Sequence, residues 1–275
     1  MAQPRPHVIG IDIADLRTDV KSALRQAAAL DFRTIEIPTA HGELAPQNLS
    51  PSARRDVSRY IGGLGLSPAA LSADMPTLRL TDPGTVEERI DRTRHVLDLA
   101  RDLRVNVVST GVGALTDLQT GQPSDLAISA LSRLGEYADI RGVLLALRPS
   151  YDTGARWLAV LDALRCPAIR VCWDPAGMVM TGANPMLSIE RFIEQVALFH
   201  ARDATAGFVD RGRGEPGLGH ETPLGEGDVD LVGILEALAS ADYNGPYILR
   251  RTESTNPSQD LIAARDTLKR YRSAQ

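Results

Sequence analysis

The chain has 275 residues and a formal net charge of −5, from 30 Lys and Arg against 35 Asp and Glu. Hydrophobic residues make up 43% and charged residues 24%, which is typical of a globular protein and excludes bulk disorder, collagen-like repeats and coiled coil. The acidic balance offers no general surface for nucleic acid or an anionic membrane. No run of roughly 18 apolar residues and no signal peptide is present, so we expect a cytoplasmic protein without a membrane span.

Short apolar runs alternate along the chain with longer segments of helical periodicity. Most of these runs are apolar in the middle and polar at the end, as in buried parallel strands whose C-terminal ends face solvent or a ligand. The predicted strands are Val8–Ala14, Thr34–Pro38, Pro68–Ala73, Val105–Thr110, Val143–Arg148, Ile169–Asp174, Val196–Asp203 and Pro246–Arg251.

The intervening segments predict helices, two of which follow evident capping residues, Asp19 and Ser50. The predicted helices are Val20–Leu30, Ser52–Leu64, Val86–Leu103, Leu126–Tyr137, Ala155–Leu164, Pro185–Glu194, Asp230–Ala239 and Gln259–Tyr271. Eight strand–helix units of about 34 residues each predict an α/β fold, a (β/α)₈ TIM barrel. We expect one domain over residues 1–275.

A glycine-rich stretch over residues 204–228 follows the seventh predicted strand. Its segment 212–217 matches G-x-G-x-x-G by letters, but it contains a proline and no helix opens after it, which argues against a dinucleotide site. The stretch lies on the face where barrel active sites are found. Two interpretations stay open, a lid or pocket wall and a flexible insertion.

In a barrel of this kind the chemistry lies at the C-terminal ends of the strands. The first predicted strand ends near Asp12 and Asp15, and the third ends near Asp74. The charged residues at the other predicted ends are Glu36 on the second strand, Arg148 on the fifth, Asp174 on the sixth, His200 and Arg202 on the seventh, and Arg250 on the eighth.

Several of these segments resemble the sugar phosphate isomerase/epimerase superfamily, the xylose isomerase-like barrels. The most specific are the runs PLGEGDVD over residues 223–230 and YNGPY over residues 243–247. Residues 169–175, which end in Trp-Asp-Pro, and residues 199–203 resemble the family's motifs for the sixth and seventh strands. Residues 31–36 resemble the second-strand motif, with Asp31 where the family usually has glycine.

The resemblance also implies a divalent metal, held by a Glu of strand 5, an Asp of strand 6, a His of strand 7 and a Glu of strand 8. Asp174 and His200 match, but Arg148 and Arg250 stand at the other two positions. A guanidinium stays protonated and has no lone pair for a metal, so we expect no metal and no other cofactor. Two guanidinium groups make the pocket more positive and suit a carboxylate or a phosphate, so we expect them to hold an anion.

The resemblance therefore implies an enzyme of the isomerase/epimerase or lyase type that acts on a small, anionic, sugar-derived compound. His200 and Asp174 are the predicted catalytic residues. The predicted substrate-binding residues are Arg148, Arg250, Arg202 and Glu36. A homo-oligomer is compatible with the sequence.

Two alternatives stay open. In the first, the barrel is catalytically inactive and binds a ligand, or Arg148 and Arg250 simply pair with Asp174 and Glu36. In the second, the protein is an ordinary metal-dependent isomerase/epimerase whose ligands lie elsewhere, with Glu253 as a candidate carboxylate. Nucleic-acid repair is disfavoured, because five scattered histidines do not supply the multi-metal cluster that this branch of the superfamily needs.

Overall fold

The structure is a computed structural model that describes residues 8–117, 119–149, 154–187, 189–207 and 219–273. Seven barrel strands follow one another in the chain: β1 (Ile9–Asp12), β2 (Thr34–Pro38), β3 (Ser67–Ser72), β4 (Val107–Gly113), β5 (Leu144–Pro149), β6 (Ile169–Trp173) and β7 (Val196–Ala201). A short antiparallel pair follows, β8 (Asp203–Ala204) and β9 (Glu221–Thr222), before the last barrel strand, β10 (Tyr247–Leu249). Because β10 pairs with both β7 and β1, the eight parallel strands close, which confirms the predicted (β/α)₈ barrel.

The helices are α1 (Val20–Ala29), α2 (Pro51–Gly63), α3 (Val86–Leu103), α4 (Asp125–Arg141), α5 (Ala155–Leu164), α6 (Pro175–Met180), α7 (Leu231–Ser240) and α8 (Pro257–Ser273). The predicted caps are formed, since Asp19 accepts from the Ser22 amide and Ser50 from the Ala53 amide. None of the helices in the described ranges has the length and apolarity needed to cross a bilayer.

The helix predicted over Pro185–Glu194 is wrong. The sixth helix, α6, instead begins directly after β6, because Asp174 accepts from the Gly177 amide at 3.1 Å and Pro175 occupies the first turn. Further along, only two 3₁₀ turns form within the described residues, at Ile189–Arg191 and Ile193–Gln195.

The interior of the barrel contains small and apolar side chains below the polar strand ends, namely Ala70, Ala146, Cys172, Leu198 and Ile248. Side chains alternate along a strand, so Cys172 faces the interior while Trp173 faces the helices. Trp173 is fully buried there and packs edge-on against Phe192, with ring centroids 6.1 Å apart. The inward-facing positions beyond this layer carry the polar site.

Asp31 has a φ of 62°, in the left-handed region between α1 and β2. This conformation explains why the second-strand motif usually has glycine there, since glycine adopts it without steric cost and Asp is among the few residues that tolerate it. The turn is closed by the Phe32 amide, which donates to the Ala27 carbonyl at 3.1 Å.

Candidate active site

His200 and Glu36 form a buried pair between β7 and β2. His200 Nε2 lies 2.8 Å from Glu36 Oε2, and both side chains are 0% exposed. Ser109 donates its hydroxyl to the other oxygen of Glu36. Burial would raise the pKa of Glu36, but His200, Arg250 and Ser109 together lower it to about 2. Glu36 is therefore ionised, and protein groups occupy both of its oxygens.

An ionised Glu36 fixes the proton arrangement on the imidazole. The carboxylate can only accept, so Nε2 of His200 donates to it. In the neutral imidazole the other nitrogen, Nδ1, then carries a lone pair. This Nδ1 is buried and has no hydrogen-bond partner within the described part of the chain.

Arg250, directly after β10, faces two aspartates at the end of β1. Its Nη1 lies 3.2 Å from Asp12 Oδ2, and its Nε donates to Asp15 Oδ2 at 3.1 Å. Burial raises the pKa of Asp12 to about 7, with Glu36 and Asp15 adding to the effect and Arg250 opposing it. Burial thus favours the protonated form of Asp12, a residue that the sequence did not single out as functional.

Arg148 on β5 reaches across β4 to Asp74, which follows β3. Its Nη2 lies 2.5 Å from Asp74 Oδ2. Gly111 leaves room for this crossing, because a Cβ there would lie 3.2 Å from the Arg148 Nη2 atom and 3.4 Å from Asp74 Oδ1. Burial opposes ionisation of Asp74, but Arg148 and the Gly111 amide hold its pKa well below the usual range. The other terminal nitrogen of Arg148, Nη1, is buried without a hydrogen-bond partner among the described residues.

Asp174 and Arg202 lie together at the ends of β6 and β7. Arg202 Nε is 3.6 Å from Asp174 Oδ1 and 3.8 Å from Glu221 Oε1. Burial would raise the pKa of Asp174, but Arg202, His200 and Arg148 outweigh this effect and lower it. Asp174 is thus an ionised carboxylate that also caps α6.

The structure brings all six predicted site residues to one end of the barrel. Two of the contacts join predicted residues, Glu36 with His200 and Asp174 with Arg202. One alternative from the sequence was that Arg148 and Arg250 pair with Asp174 and Glu36. Instead, Arg148 pairs with Asp74, and Arg250 pairs with Asp12 and Asp15. The sequence analysis expected the two guanidinium groups to make the pocket more positive, and these three carboxylates offset much of that charge.

The donor set does not fit the divalent metal that the resemblance implies. Arg148 and Arg250 stand at the two positions where the resemblance implies carboxylate ligands, and Nε2 of His200 already contacts Glu36. Across the described ranges, no group of three or more His, Cys, Asp or Glu is arranged to hold a metal ion. Glu253, the alternative carboxylate, is exposed and accepts from the Glu221 amide at 3.2 Å. No catalytic step is therefore assigned to a metal.

Asp203 organises the described part of the glycine-rich stretch. Its carboxylate accepts from four backbone amides, those of Ala204, Gly225, Gly227 and Val229, at 2.8 to 3.2 Å. The PLGEGD run therefore wraps around one buried side chain, and β8 and β9 pair beside it. Residues 208–218, in the middle of the predicted lid or insertion, lie outside the described residues.

A cavity of about 590 Å³ opens beside Arg148 and Asp74, between the segment after β3 and the end of β4. We name it the β3–β4 pocket; its charged lining residues are Asp74, Arg79, Arg89 and Arg148. Sequence reasoning missed it, because Arg79 and Arg89 lie in a loop and a helix rather than at a strand end.

Residues 24–271 match the family model described as xylose isomerase-like TIM barrel. SgbU of Escherichia coli K12, provisionally named an L-ribulose-5-phosphate 3-epimerase, is 23% identical over 280 residues, covering 95% of both chains. Inosose dehydratase of Geobacillus thermodenitrificans NG80-2 is 23% identical over 164 residues, which span 54% of this chain and 55% of that protein. The crystal structure of a xylose isomerase domain protein from Planctomyces limnophilus superimposes with a TM-score of 0.84 at 20% identity, covering 98% of this chain and 99% of the other. The chain belongs to the xylose isomerase-like TIM barrel family.

Proposed function

We propose that the protein is a metal-independent isomerase/epimerase, or a related lyase, acting on a small, anionic, sugar-derived compound. The observation that carries this proposal is the buried His200–Glu36 pair at the centre of the strand ends. A carboxylate that orients an imidazole through one nitrogen and leaves the other as a base is a recurring arrangement in general acid–base catalysis. His200 Nδ1 is therefore the proposed acceptor of the substrate proton.

The proposed step is removal of a proton from a carbon beside a carbonyl. The electron pair of the broken C–H bond moves onto the carbonyl oxygen, and His200 holds the proton. The resulting enolate then takes a proton from solvent on its opposite face, or it expels a neighbouring hydroxyl, which leaves as water with the proton from His200. Both outcomes suit the similarity to proteins named as an epimerase and a dehydratase. Arg148 and Arg250 stabilise the developing oxyanion in this proposal, because guanidinium donors in a buried site strengthen as negative charge forms.

The remaining predicted residues take supporting roles. Asp174, an ionised carboxylate beside Arg202, is the proposed second proton-transfer group. Arg202 contacts the substrate from the same side. Glu36 acts through His200, because protein groups already occupy both of its oxygens.

Solvent isotope exchange tests this proposal even where the product is unidentified. The protein is incubated in D₂O with a panel of sugar phosphates and sugar acids, and proton NMR follows loss of the C–H signal beside the carbonyl. We expect exchange in at least one compound, slowed roughly 10²- to 10⁴-fold by His200→Asn. The matched control is His95→Asn, at an exposed histidine on α3. Compounds that raise the unfolding temperature without any exchange would favour the inactive ligand-binding barrel.

Metal content tests the assignment of the two arginines. We expect protein purified without chelator to contain no stoichiometric metal, and the Arg148→Glu, Arg250→Glu double variant to gain one ion per chain. Elemental analysis measures both. One metal per chain in the native protein would refute the metal-independent mechanism and favour an ordinary metal-dependent isomerase/epimerase.

A further inference from the structure

The β3–β4 pocket lies beside the barrel axis rather than on it. Its volume of about 590 Å³ is within the usual range for a small-molecule site. Asp74 and Arg148 line it, so a ligand in this cavity would contact the ion pair that spans β4. The pocket therefore adjoins the proposed reaction site.

The charged residues of the pocket are unbalanced. Arg79, Arg89 and Arg148 line it together with a single carboxylate, Asp74. Among the ion pairs of the described residues, only Arg148 of these three arginines has a partner, and that partner is Asp74. The wall therefore carries an excess of positive charge that an anionic ligand would offset.

Arg89 is a buried cation held by neutral groups. It is 2% exposed, and its two terminal nitrogens donate to the carbonyls of Met75, Leu78 and Gly111 and to the Thr110 hydroxyl. Burial lowers its pKa to about 10, so it is still protonated at neutral pH. These contacts fix both walls of the pocket, which makes Arg89 a positioning residue rather than a direct ligand contact.

The rest of the lining is largely apolar. Met75, Pro76, Leu78, Val112 and Ala114 all line the cavity. A sugar with hydroxyls on every face would lose hydrogen bonds to water against such a wall, whereas a ring or alkyl face would gain from burial. Positive charge beside an apolar wall suits an anion attached to an apolar group.

We propose that the β3–β4 pocket binds the anionic end of the substrate, and that this substrate has an apolar face next to its carboxylate or phosphate. Arg79, which is exposed and lines the pocket, contacts the anion directly. The anion then lies on the β3–β4 side of Arg148, not between Arg148 and Arg250. The identification of this ligand as a substrate rests on the proposed function.

Benzoate, which joins a carboxylate to an apolar ring, is the probe. Benzamide keeps the ring without the charge, and acetate keeps the charge without the ring. Each is titrated into the ¹⁵N-labelled full chain while amide shifts are followed by NMR. We expect benzoate to bind more tightly than either and to shift the amides of Gly111 and Gly113, which line the pocket.

Two variants probe the charge and the space separately. Arg79→Gln should weaken benzoate binding roughly fivefold, as expected for losing one partly exposed charge contact. Ala114→Phe should abolish binding by filling the apolar part of the pocket. Arg25→Gln, at an exposed arginine on α1, is the matched control and should leave the affinity unchanged.

Equal affinity for benzoate and benzamide, or unchanged affinity in Arg79→Gln with an intact amide spectrum, would overturn the pocket assignment. This outcome is distinct from failure of the proposed function. Benzoate binding at these amides, without isotope exchange of any sugar compound, would support the pocket and overturn the sugar-derived substrate of the proposed function.

Discussion

Replacing Glu36 with Gln removes a buried charge and keeps the shape of the side chain. The amide oxygen can still accept from the Ser109 hydroxyl, and the amide nitrogen can face His200 Nε2. In the wild type, the pKa of Glu36 lies at about 2 instead of its ordinary 4.5. A difference of this size corresponds to about 3 kcal/mol of stability, since a tenfold change in proton affinity is worth about 1.4 kcal/mol.

The sign follows from the direction of the shift. The folded-state pKa is below the unfolded value, so the stabilisation is present above pH 4.5 and is lost as the pH falls toward 2. Glu36→Gln has no group that titrates at this position. The wild-type free energy of unfolding should therefore fall on acidification by about 3 kcal/mol more than that of the variant.

Urea unfolding followed by tryptophan fluorescence at a series of pH values measures this difference. Glu136→Gln, at an exposed glutamate on α4, is the control and should follow the wild type. If the free energies of unfolding of the wild type and Glu36→Gln differ by the same amount from about pH 5 to about pH 2, the reasoning is refuted. It would mean that Glu36 is not held as an ionised partner of His200.

Three further predictions concern the surrounding contacts. Arg148→Met leaves the partly exposed Asp74 without its cation and should cost about 1 kcal/mol, and Asp74→Asn in the same chain should recover part of that loss; a urea-unfolding double-mutant cycle without coupling would contradict the ion pair. Gly111→Ala places a Cβ 3.2 Å from Arg148 Nη2 and should lower the unfolding midpoint in a thermal scan, whereas an unchanged midpoint would show that Arg148 does not need the space that glycine leaves there. Asp203→Ala removes the acceptor of four backbone amides and should speed hydrogen exchange at Gly225, Gly227 and Val229; exchange as slow as in the wild type would show that other groups hold this segment.

The strand ends could be predicted because they depend on local pattern. The predicted bounds of Thr34–Pro38 match the observed ones, and the six predicted site residues all lie at or directly after strand ends. The sixth helix could not be predicted in the same way. The helix α6 has six residues, too few to show a helical repeat of apolar positions. The later segment with Ile189 and Phe192 does show apolar residues at helix-like spacing, but it forms two 3₁₀ turns.

The partners of the site residues were harder to predict, because they depend on which strands are neighbours. The first and last strands of a closed eight-strand barrel are neighbours, so the predicted topology places Asp12 near Arg250. This pair becomes visible only when the two strand ends are considered together. The Arg148–Asp74 pair spans an intervening strand, and its only sequence signal is a glycine at position 111. Lone aspartates at strand ends are too common to indicate such pairs by themselves.

The ion pairs at the mouth also divide the barrel by chain order. In three of these pairs, Asp12–Arg250, Glu36–His200 and Asp74–Arg148, the acid comes from the first three strands or directly after them and the base from the last four. Others, such as Asp174–Arg202, lie within the last four strands. Each half-barrel, if separated, would expose acidic or basic groups that have lost their partners. Two copies of the first half would repel one another there, whereas the two complementary halves would attract. When the two halves are mixed as separate fragments, opposite charges therefore favour pairing of a first half with a second half. Burial of apolar surface supplies the rest of the driving force for closing the barrel.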